Sequence, residues 1–416
     1  MKIRTFTYVA AAALLSASAA NAQDLGNLTN FSLFGKEFQI HGFLSEGFGY
    51  TNDNNYLTMN TSKGSFAMTD GGVNISTRLT DKLRVGAQVY DRNVGKLGDW
   101  KPELDWAFAD YRFKDWFGVR GGKVKTTLGL YNDTQDQDFL RVFALLPQSV
   151  YPTDLRDSTI AHTGGDVYGT VGLKKGGSLQ YNVFAGRRRD SLYGGYIFML
   201  EGSDVNYKRY GGLQYGADLR WNTPVKGLLL GAADMQEDIE GVGTWTYNNA
   251  FFGGTGFSTV ATEEHSKNDK TSELYGQYSV GNLTLDTEYR RYWRDEIILS
   301  GMAEVTTDVR SWYAAASYRV NKRIALGTYY SRFTNVSGTP PVPIGTDTSA
   351  PDHHLYDKVV TLRFDLSRNW YIKVEEHFID GYGSPGMYPD GFYTMDNPQG
   401  LKPKTNALIV RTGWNF

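Results

Sequence analysis

The chain contains no cysteine among its 416 residues. This absence excludes a disulfide scaffold and a thiol nucleophile. Beyond the N-terminus, the chain also lacks the run of about 18 apolar residues that a transmembrane helix needs. Its mean hydropathy is −0.42, which agrees with the lack of apolar segments. A helical membrane protein is therefore excluded.

Recognisable catalytic and metal-binding patterns are missing as well. The six histidines show no zinc-type spacing, and no G-x-S-x-G nucleophile motif occurs. Asp133, Asp136 and Asp138 lie close together and raise the alternative of a calcium site. Their spacing breaks the every-second-residue pattern of an EF-hand loop, whose glycine and distal glutamate are also absent. The sequence therefore predicts no enzyme, no metal site and no bound cofactor.

The charge balance excludes a further class of protein. The formal net charge is −2, with 43 basic and 45 acidic residues. A nucleic-acid binder is normally basic, because it must neutralise phosphates. We therefore expect no nucleic acid among the partners of this chain.

The N-terminus has the three parts of a secretory signal peptide. Lys2 and Arg4 form a basic segment, residues 8–15 are apolar, and Ala20-Asn21-Ala22 fits a cleavage site. Removing residues 1–22 of the 416 leaves 394 residues. We expect residues 23–37 to form a periplasmic N-terminal segment and residues 38–416 to form one folded unit.

Alternation of apolar and polar residues recurs along that unit. Leu408, Val410 and Thr412, for example, alternate with Ile409 and Arg411. The alternating segments are about 8–13 residues long, as membrane-spanning strands require. The composition, with 28 tyrosines and 47 glycines but only 12 prolines, favours an all-β fold. One face of such strands can lie against hydrocarbon while the other faces water.

The connections between these segments alternate between short and long. Short turns are predicted at residues 81–82, 114–115, 174–177, 222–227, 281–282, 321–322 and 367–369. Long loops are predicted at residues 51–64, 92–102, 126–165, 187–210, 236–270, 294–306, 334–357 and 381–405. Seven turns between eight loops give about sixteen strands, the arrangement of a transmembrane antiparallel β-barrel with both termini in the periplasm. The alternative is a soluble periplasmic propeller or sandwich.

The third long loop is more apolar than a solvated loop should be. It contains Phe139, Leu140, Val142, Phe143, Leu145 and Leu146. Burying these side chains is favourable, so we expect the loop to fold into the barrel and narrow it. The alternative is a loop that packs outside, against a neighbouring subunit or as a cap.

Part of the chain resembles a known family. The resembling residues are Asp105-Trp106-Ala107, Tyr111-Arg112-Phe113, the stretch from Val119 to Lys125, Gly129-Leu130-Tyr131-Asn132 and the terminal aromatic residue Phe416. They resemble Gram-negative outer-membrane porins distantly akin to the phosphate-selective porin O/P family. The resemblance implies a trimeric sixteen-stranded channel in the outer membrane. The family's dense arginine ladder and lysine ring are not matched here, so phosphate is not implied as the solute.

The polar face of each strand supplies candidate pore-lining residues. On the fifth strand these are Arg120, Lys123 and Lys125, and a β-bulge at Gly121-Gly122 would turn all three to the lumen. The other candidates are Asp133, Asp136, Asp138 and Arg141 in the third loop, Arg187, Arg188 and Arg189 in the fourth, and Arg290, Arg363, Lys373 and Arg411 on later strands. Across all strands, basic candidates outnumber acidic ones slightly, which predicts a weak anion preference. The arginine run has an alternative role in binding lipopolysaccharide phosphates, or it is merely solvated.

These observations favour a passive channel for small hydrophilic solutes and ions. We expect its partners to be outer-membrane lipid, lipopolysaccharide and two further copies of the chain. An adhesive or structural barrel is an alternative, and a barrel enzyme such as a lipase or protease is a more distant one.

Overall fold

The computed structural model describes residues 29–202, 204–338, 348–383 and 390–416. The predicted signal peptide lies outside these residues, and the predicted periplasmic segment is described only from residue 29 onward.

The described residues form seventeen strands in one antiparallel sheet. They are β1 (Asn30–Leu33), β2 (Lys36–Thr51), β3 (Ser65–Arg78), β4 (Leu83–Val94), β5 (Glu103–Lys114), β6 (Phe117–Lys125), β7 (Ala161–Gly172), β8 (Ser178–Arg189), β9 (Val205–Asn222), β10 (Leu228–Asn248), β11 (Phe257–Val280), β12 (Leu283–Ile298), β13 (Ala303–Arg319), β14 (Ile324–Gly338), β15 (His354–Asp365), β16 (Trp370–Gly381) and β17 (Lys404–Asn415). Two short helices, α1 (Arg156–Thr159) and α2 (Gly195–Glu201), lie in the connections. Within the described part of the chain, neither helix is long and apolar enough to cross a membrane.

The sheet closes on itself. Each strand from β2 to β17 pairs with the next, and β17 pairs with β2 from Ala407↔Thr51 to Asn415↔Phe43. β1 adds a short hairpin to the start of β2, with Phe31 opposite Phe38. Closure leaves no unpaired strand edge among the sixteen barrel strands. The predicted all-β transmembrane barrel of sixteen strands is confirmed.

Each barrel strand separates an apolar face from a polar one. On β16, Lys373 and Glu375 are fully buried. Val374, which lies between them, is 41% exposed, and Phe378, which has the same parity as Val374, is 47% exposed. Successive side chains of a strand point to opposite faces, so the charged residues face the interior and the apolar ones face outward. This is the pattern of a barrel that spans a bilayer.

The short turns are confirmed, but two of the long loops are not. The segments predicted as loops at residues 236–270 and 294–306 are mostly strand, because β10 and β11 pair as far as Asn248↔Phe257 and β12 and β13 as far as Ile298↔Ala303. Only residues 249–256 and 299–302 connect them. β10 and β11 have 21 and 24 residues, far more than the roughly 9–11 that cross a bilayer. Beyond the bilayer, both faces of a hairpin can be polar, so its charged residues resemble a loop in sequence.

The long-loop end of the barrel contains an apolar core. Tyr56 and Leu57 from the first long loop and Phe392 from the eighth are buried together with wall residues such as Leu355 and Ile409. The rings of Tyr56 and Phe392 lie 4.8 Å apart between centroids. The connections at this end therefore pack against one another and against the inward face of the wall.

Candidate functional site

The connection between β6 and β7, residues 126–160, makes most of the contacts that define the site. We call it the constriction segment. Its side chains and backbone atoms bond to inward-facing side chains of strands far apart around the barrel: Gln88 of β4, Asp105 of β5, Asp218 of β9, Glu288 of β12, Arg363 of β15, Lys373 of β16 and Arg411 of β17. Two of its side chains, Phe143 and Tyr151, are buried against Tyr313, Tyr329 and Val359 of the wall.

Asp138 lies at the centre of one anchoring cluster. It is buried, and its carboxylate accepts hydrogen bonds from Tyr371 and Lys373, the latter at 3.4 Å. The Arg411 Nε atom lies 3.2 Å from Oδ2 of this carboxylate, the same oxygen that accepts from Lys373. Burial alone would raise the pKa of Asp138, but Lys373 and Arg411 hold this pKa well below its ordinary value. Asp138 is therefore a paired anion in this cluster.

Arg411 joins this cluster to the neighbouring wall. Its guanidinium donates to the Ser45 hydroxyl at 2.7 Å and to the carboxylate of Asp70. It also donates to the Ala144 carbonyl oxygen at 3.2 Å. One cation thus bridges two strands and the constriction segment.

Glu375 holds the backbone of the constriction segment. Its carboxylate oxygens accept hydrogen bonds from the N–H groups of Ala144 and Leu145, at 2.8 and 2.9 Å. His377 lies between Glu375 and Asp357, with its ring nitrogens 3.0 and 2.7 Å from the two carboxylates. These groups are almost entirely buried, so the carboxylate is fixed in the orientation that receives both N–H groups.

Two further arginines bind carbonyl oxygens of the constriction segment. Arg363 donates to the carbonyl oxygens of Phe139 and Arg141, each at 2.7 Å. Arg290 donates to the Val150 carbonyl oxygen and lies 3.2 Å from Glu273. These two cations satisfy backbone acceptors that a buried irregular segment would otherwise leave unpaired.

Asp136 anchors the constriction segment to β4 and to the end of β6. Lys125 lies 2.5 Å from this carboxylate, and Gln88 donates to it at 2.7 Å. Arg156, at the start of α1, pairs with Asp105 at 2.6 Å. Asp133 and Arg141 are only half-buried, and Arg141 donates to the Thr134 carbonyl oxygen at 3.0 Å. The predicted acidic group is therefore divided, because Asp136 contacts β4 and β6, whereas Asp138 contacts β16 and β17.

The apolar residues of the constriction segment are buried unevenly. Phe143, Leu145 and Leu146 are buried, whereas Leu140 is 61% exposed. Phe139 and Val142 are half-buried. Burying each of the three core residues contributes about 1.5–3 kcal/mol, which helps to keep this irregular segment in place.

The predicted bulge on β6 is absent. The pairing of β6 with β5 and β7 continues without a register shift through Gly121 and Gly122. The shift lies instead between Gln88 and Val89 of β4, opposite the start of β5. Arg120 therefore faces inward, with one nitrogen 4.0 Å from Asp166, while Lys123 keeps the outward parity. Lys125 has the same parity as Lys123, but it lies beyond the last residue paired with β5 and reaches Asp136.

The structure also separates the three consecutive arginines of β8. Arg188 is buried and pairs with Glu237 at 2.8 Å and with Asp190 at 3.0 Å. Arg187 and Arg189 are exposed on the other face of the strand. The prediction that all three arginines line the pore is therefore wrong for Arg187 and Arg189, because successive side chains of a strand point to opposite faces.

A recess of about 350 Å³ lies between the constriction segment and the short-turn end of the barrel. Its charged lining residues are Arg141, Arg319, Arg363 and Asp286, and Leu140 also faces it. Asp365 pairs with Arg319 and Arg363 at 2.8 and 2.7 Å. Because one carboxylate compensates two arginines, three basic groups stand against two acidic ones here, and the recess keeps a small net positive charge.

Several residues of the site were not among the sequence candidates. Asp136 is contacted by Gln88 and Arg156, and Asp138 is contacted by Tyr371. All three lie far from these aspartates in sequence, and Gln88 and Tyr371 carry no charge, so the charge pattern does not indicate them. For Glu375 and His377, the parity that they share with Lys373 does predict an inward orientation, and both are buried inside the barrel. Among the described residues, no group of three or more His, Asp or Glu side chains is arranged to hold a metal ion.

Comparison with known proteins gives a fold but no sequence family. No family model and no curated protein matches the chain. Solved structures match over nearly their whole length. The outer-membrane expressed OmpT of Vibrio cholerae superposes with a TM-score of 0.56 at 11% identity, covering 93% of this chain and 100% of that one. The chain has the fold of an outer-membrane porin.

Two further porins show the same likeness. An anion-selective porin from Comamonas acidovorans matches with a TM-score of 0.55 at 12% identity, covering 92% of this chain and 100% of that one. OmpF of Salmonella typhi, in complex with daunomycin, matches with a TM-score of 0.55 at 13% identity, covering 93% and 100%. The barrel is thus of the Gram-negative outer-membrane type, as the sequence predicts.

Proposed function

We propose that the chain is a passive channel of the Gram-negative outer membrane for small hydrophilic solutes and ions. In this proposal the constriction segment folds into the lumen and sets the width of the path. The observation that carries it is that the segment bonds to inward-facing side chains on opposite walls, Gln88 of β4 and Glu288 of β12, which lie eight strands apart in the ring of sixteen. A segment packed outside the barrel would not reach both. The porin fold supports a channel rather than an enzyme or an adhesive barrel.

The path is proposed to have a weak anion preference. This is supported by the recess on the short-turn side, where Arg141, Arg319 and Arg363 outnumber the acidic lining. Rings of basic side chains favour anions in pores. One structurally similar porin is itself described as anion-selective. The paired charges deeper in the site, such as Asp138 with Lys373, cancel each other and keep the preference weak.

The remaining expectations from sequence are part of the proposal. Residues 1–22 are proposed to direct export and to be removed. The chain is proposed to form a homotrimer in contact with outer-membrane lipid and lipopolysaccharide. Support comes from a shallow outer recess of about 530 Å³, lined by small residues such as Ala87, Ala107 and Ala109, against which a second copy could pack. Kinship with the phosphate-selective porins rests on the resembling segments alone.

Reconstitution into planar bilayers tests the channel function. The purified protein should produce stepwise, ohmic increases in conductance, and its reversal potential in a salt gradient should show a modest preference for anions. The absence of conductance steps from correctly folded protein would contradict the channel. A cation-selective reversal potential would contradict only the proposed selectivity.

A further inference from the structure

Three cations lie in a row on the outer face of the barrel. Lys123 of β6 is opposite Thr163 of β7, and Thr163 is opposite Arg187 of β8. Arg189 follows on the same face of β8. The residues that alternate with them, including His162 and Arg188, are buried in the interior, so the row faces outward. We call Lys123, Arg187 and Arg189 the outer basic cluster.

The height of this cluster matches a lipid headgroup. Lys123 lies two residues before the end of β6, and Arg189 is the last residue of β8, both at the long-loop end. Charged residues on the lipid-facing side of a barrel are costly at the bilayer centre but tolerated near the interfaces. At that level they can meet the phosphates of lipid headgroups.

The two arginines have no acidic partner in the part of the chain that the structure describes. No carboxylate lies within ion-pair distance of Arg187 or Arg189, whereas Arg188 between them is paired with Glu237. Lys123 donates only to the Leu104 carbonyl oxygen, at 2.6 Å. Two unpaired guanidinium groups and one ammonium group thus remain available for an anion.

The cluster borders a recess of about 420 Å³. Thr163 and Ser191 add hydroxyl groups to its lining, and Glu103, Asp105, Asp157 and Asp190 add carboxylates. Each of these carboxylates already has a partner: Ser191 for Glu103, Arg156 for Asp105, Arg92 for Asp157 and Arg188 for Asp190. Among the described residues, three cations of the recess therefore lack a carboxylate partner, against one carboxylate, Glu103, that is bonded only to a hydroxyl group, so the uncompensated charge is net positive.

A groove of small residues continues from the cluster along the outer face. Gly121, Gly165 and Ala185 are opposite one another on β6, β7 and β8, two positions from the basic row. The next outward residues, Val119, Val167 and Val183, are exposed. The small residues leave a shallow apolar channel across three strands, which fits a hydrocarbon chain.

We propose that this face binds a phosphorylated glycolipid of the outer leaflet. The outer basic cluster holds a headgroup phosphate, and one acyl chain lies over Gly121, Gly165 and Ala185. This chemistry favours a lipid phosphate over a second copy of the chain, since a protein packed on this face would bury two guanidinium groups that have no carboxylate partner within the described part of the chain. The inference requires only the outer-membrane location and not conduction through the lumen.

Titration of the folded protein in detergent with a diphosphorylated lipid A, followed by native mass spectrometry, tests this site. We expect one bound lipid per chain. The double variant Arg187→Gln with Arg189→Gln should bind about 30-fold more weakly, since each cation near an anionic lipid surface contributes substantially. Arg209→Gln is the matched control, because Arg209 is an exposed arginine of the adjacent strand that already has a partner, Glu240, at 3.7 Å.

A second variant tests the acyl groove without changing charge. At Gly121 an added Cβ would meet its nearest neighbour, the Gly164 carbonyl oxygen, at 3.8 Å. Gly121→Leu should therefore fold and should weaken lipid A binding by filling the groove. Removing the phosphates from the lipid tests the headgroup contact from the other side. Lipid A without phosphates should bind the wild type weakly, with the affinity that the double arginine variant shows for diphosphorylated lipid A.

Three results would overturn the assignment. The first is equal lipid A affinity of the wild type and the double arginine variant. The second is inorganic phosphate that displaces the lipid at the same concentration, which would make the cluster a free-phosphate site. The third is rapid disulfide formation between copies of Thr163→Cys in the presence of lipid A, which would make this face a contact between subunits.

Discussion

The Lys373 ammonium group, fully buried on β16, donates a hydrogen bond of 2.8 Å to the carbonyl oxygen of Phe143 in the constriction segment. The same nitrogen donates to the Asp138 carbonyl oxygen at 2.6 Å. A single wall residue therefore holds two points of the segment that are five residues apart. Lys373 is thus a two-point anchor of the segment, alongside Glu375 and Arg363.

Replacing Lys373 with methionine should loosen the constriction. The variant keeps the length of the side chain but removes the positive charge that pairs with the Asp138 carboxylate. Breaking a buried ion pair in this way costs about 3–5 kcal/mol. We expect a larger and noisier single-channel conductance with an intact barrel. Val374→Ala, on the outward face of the same strand, is the control. Unchanged conductance in Lys373→Met would contradict a segment that limits the path.

Glu375→Ala should expose part of the segment backbone. The two N–H groups of Ala144 and Leu145 lose their acceptor, and an unsatisfied buried donor costs about 1–3 kcal/mol. Hydrogen exchange of peptides that contain these residues should therefore accelerate about tenfold or more. Glu376→Ala, whose side chain lies on the opposite face of β16, should leave exchange unchanged. Equal exchange in the two variants would show that Glu375 does not anchor the segment.

Arg319→Gln should lower the preference for anions. Its side chain is 43% exposed and lines the recess at the short-turn end, so its charge acts on solutes that pass. The reversal potential should shift toward the cation side. Arg310→Gln changes the same charge on the outward face of β13 and should have little effect. A shift of the same size in both variants would indicate a general surface effect.

The ion pair between Lys125 and Asp136 should behave as a coupled unit. Lys125→Met and Asp136→Asn each remove one charge from a pair separated by 2.5 Å. A double-mutant cycle on urea unfolding should give an interaction energy of about 0.5–3 kcal/mol. If the two losses of unfolding free energy are simply additive, Lys125 does not interact with Asp136, and Gln88 and Arg156 are its effective partners.

The barrel could be predicted from the sequence because its signals are local. Alternation along a strand and the length of a turn are properties of neighbouring residues, and they gave the sixteen strands. The length of the β10–β11 hairpin could not be obtained in this way, because outside the bilayer its charged residues no longer alternate with apolar ones.

The site depended on contacts between remote residues. Lys373 was recognised as inward-facing from its strand, but its bond to Phe143 joins residues 230 positions apart. The orientation of Lys123 depended on where the register shifts. The glycines predict a bulge on β6, whereas the register shifts between β4 and β5, where Asp105 of β5 is the additional residue. Parity therefore predicted most wall residues, but not their partners in the constriction segment.

The absence of native cysteine allows a direct test of the lumen. Leu140 is 61% exposed and faces the recess, whereas Leu145 is buried and does not line it. In Leu140→Cys, a water-soluble thiol reagent should react and reduce the conductance of an open channel, because the added group occupies the recess. Leu145→Cys should react slowly and keep its conductance. If Leu140→Cys is labelled without any change in current, the recess does not lie on the conducting path.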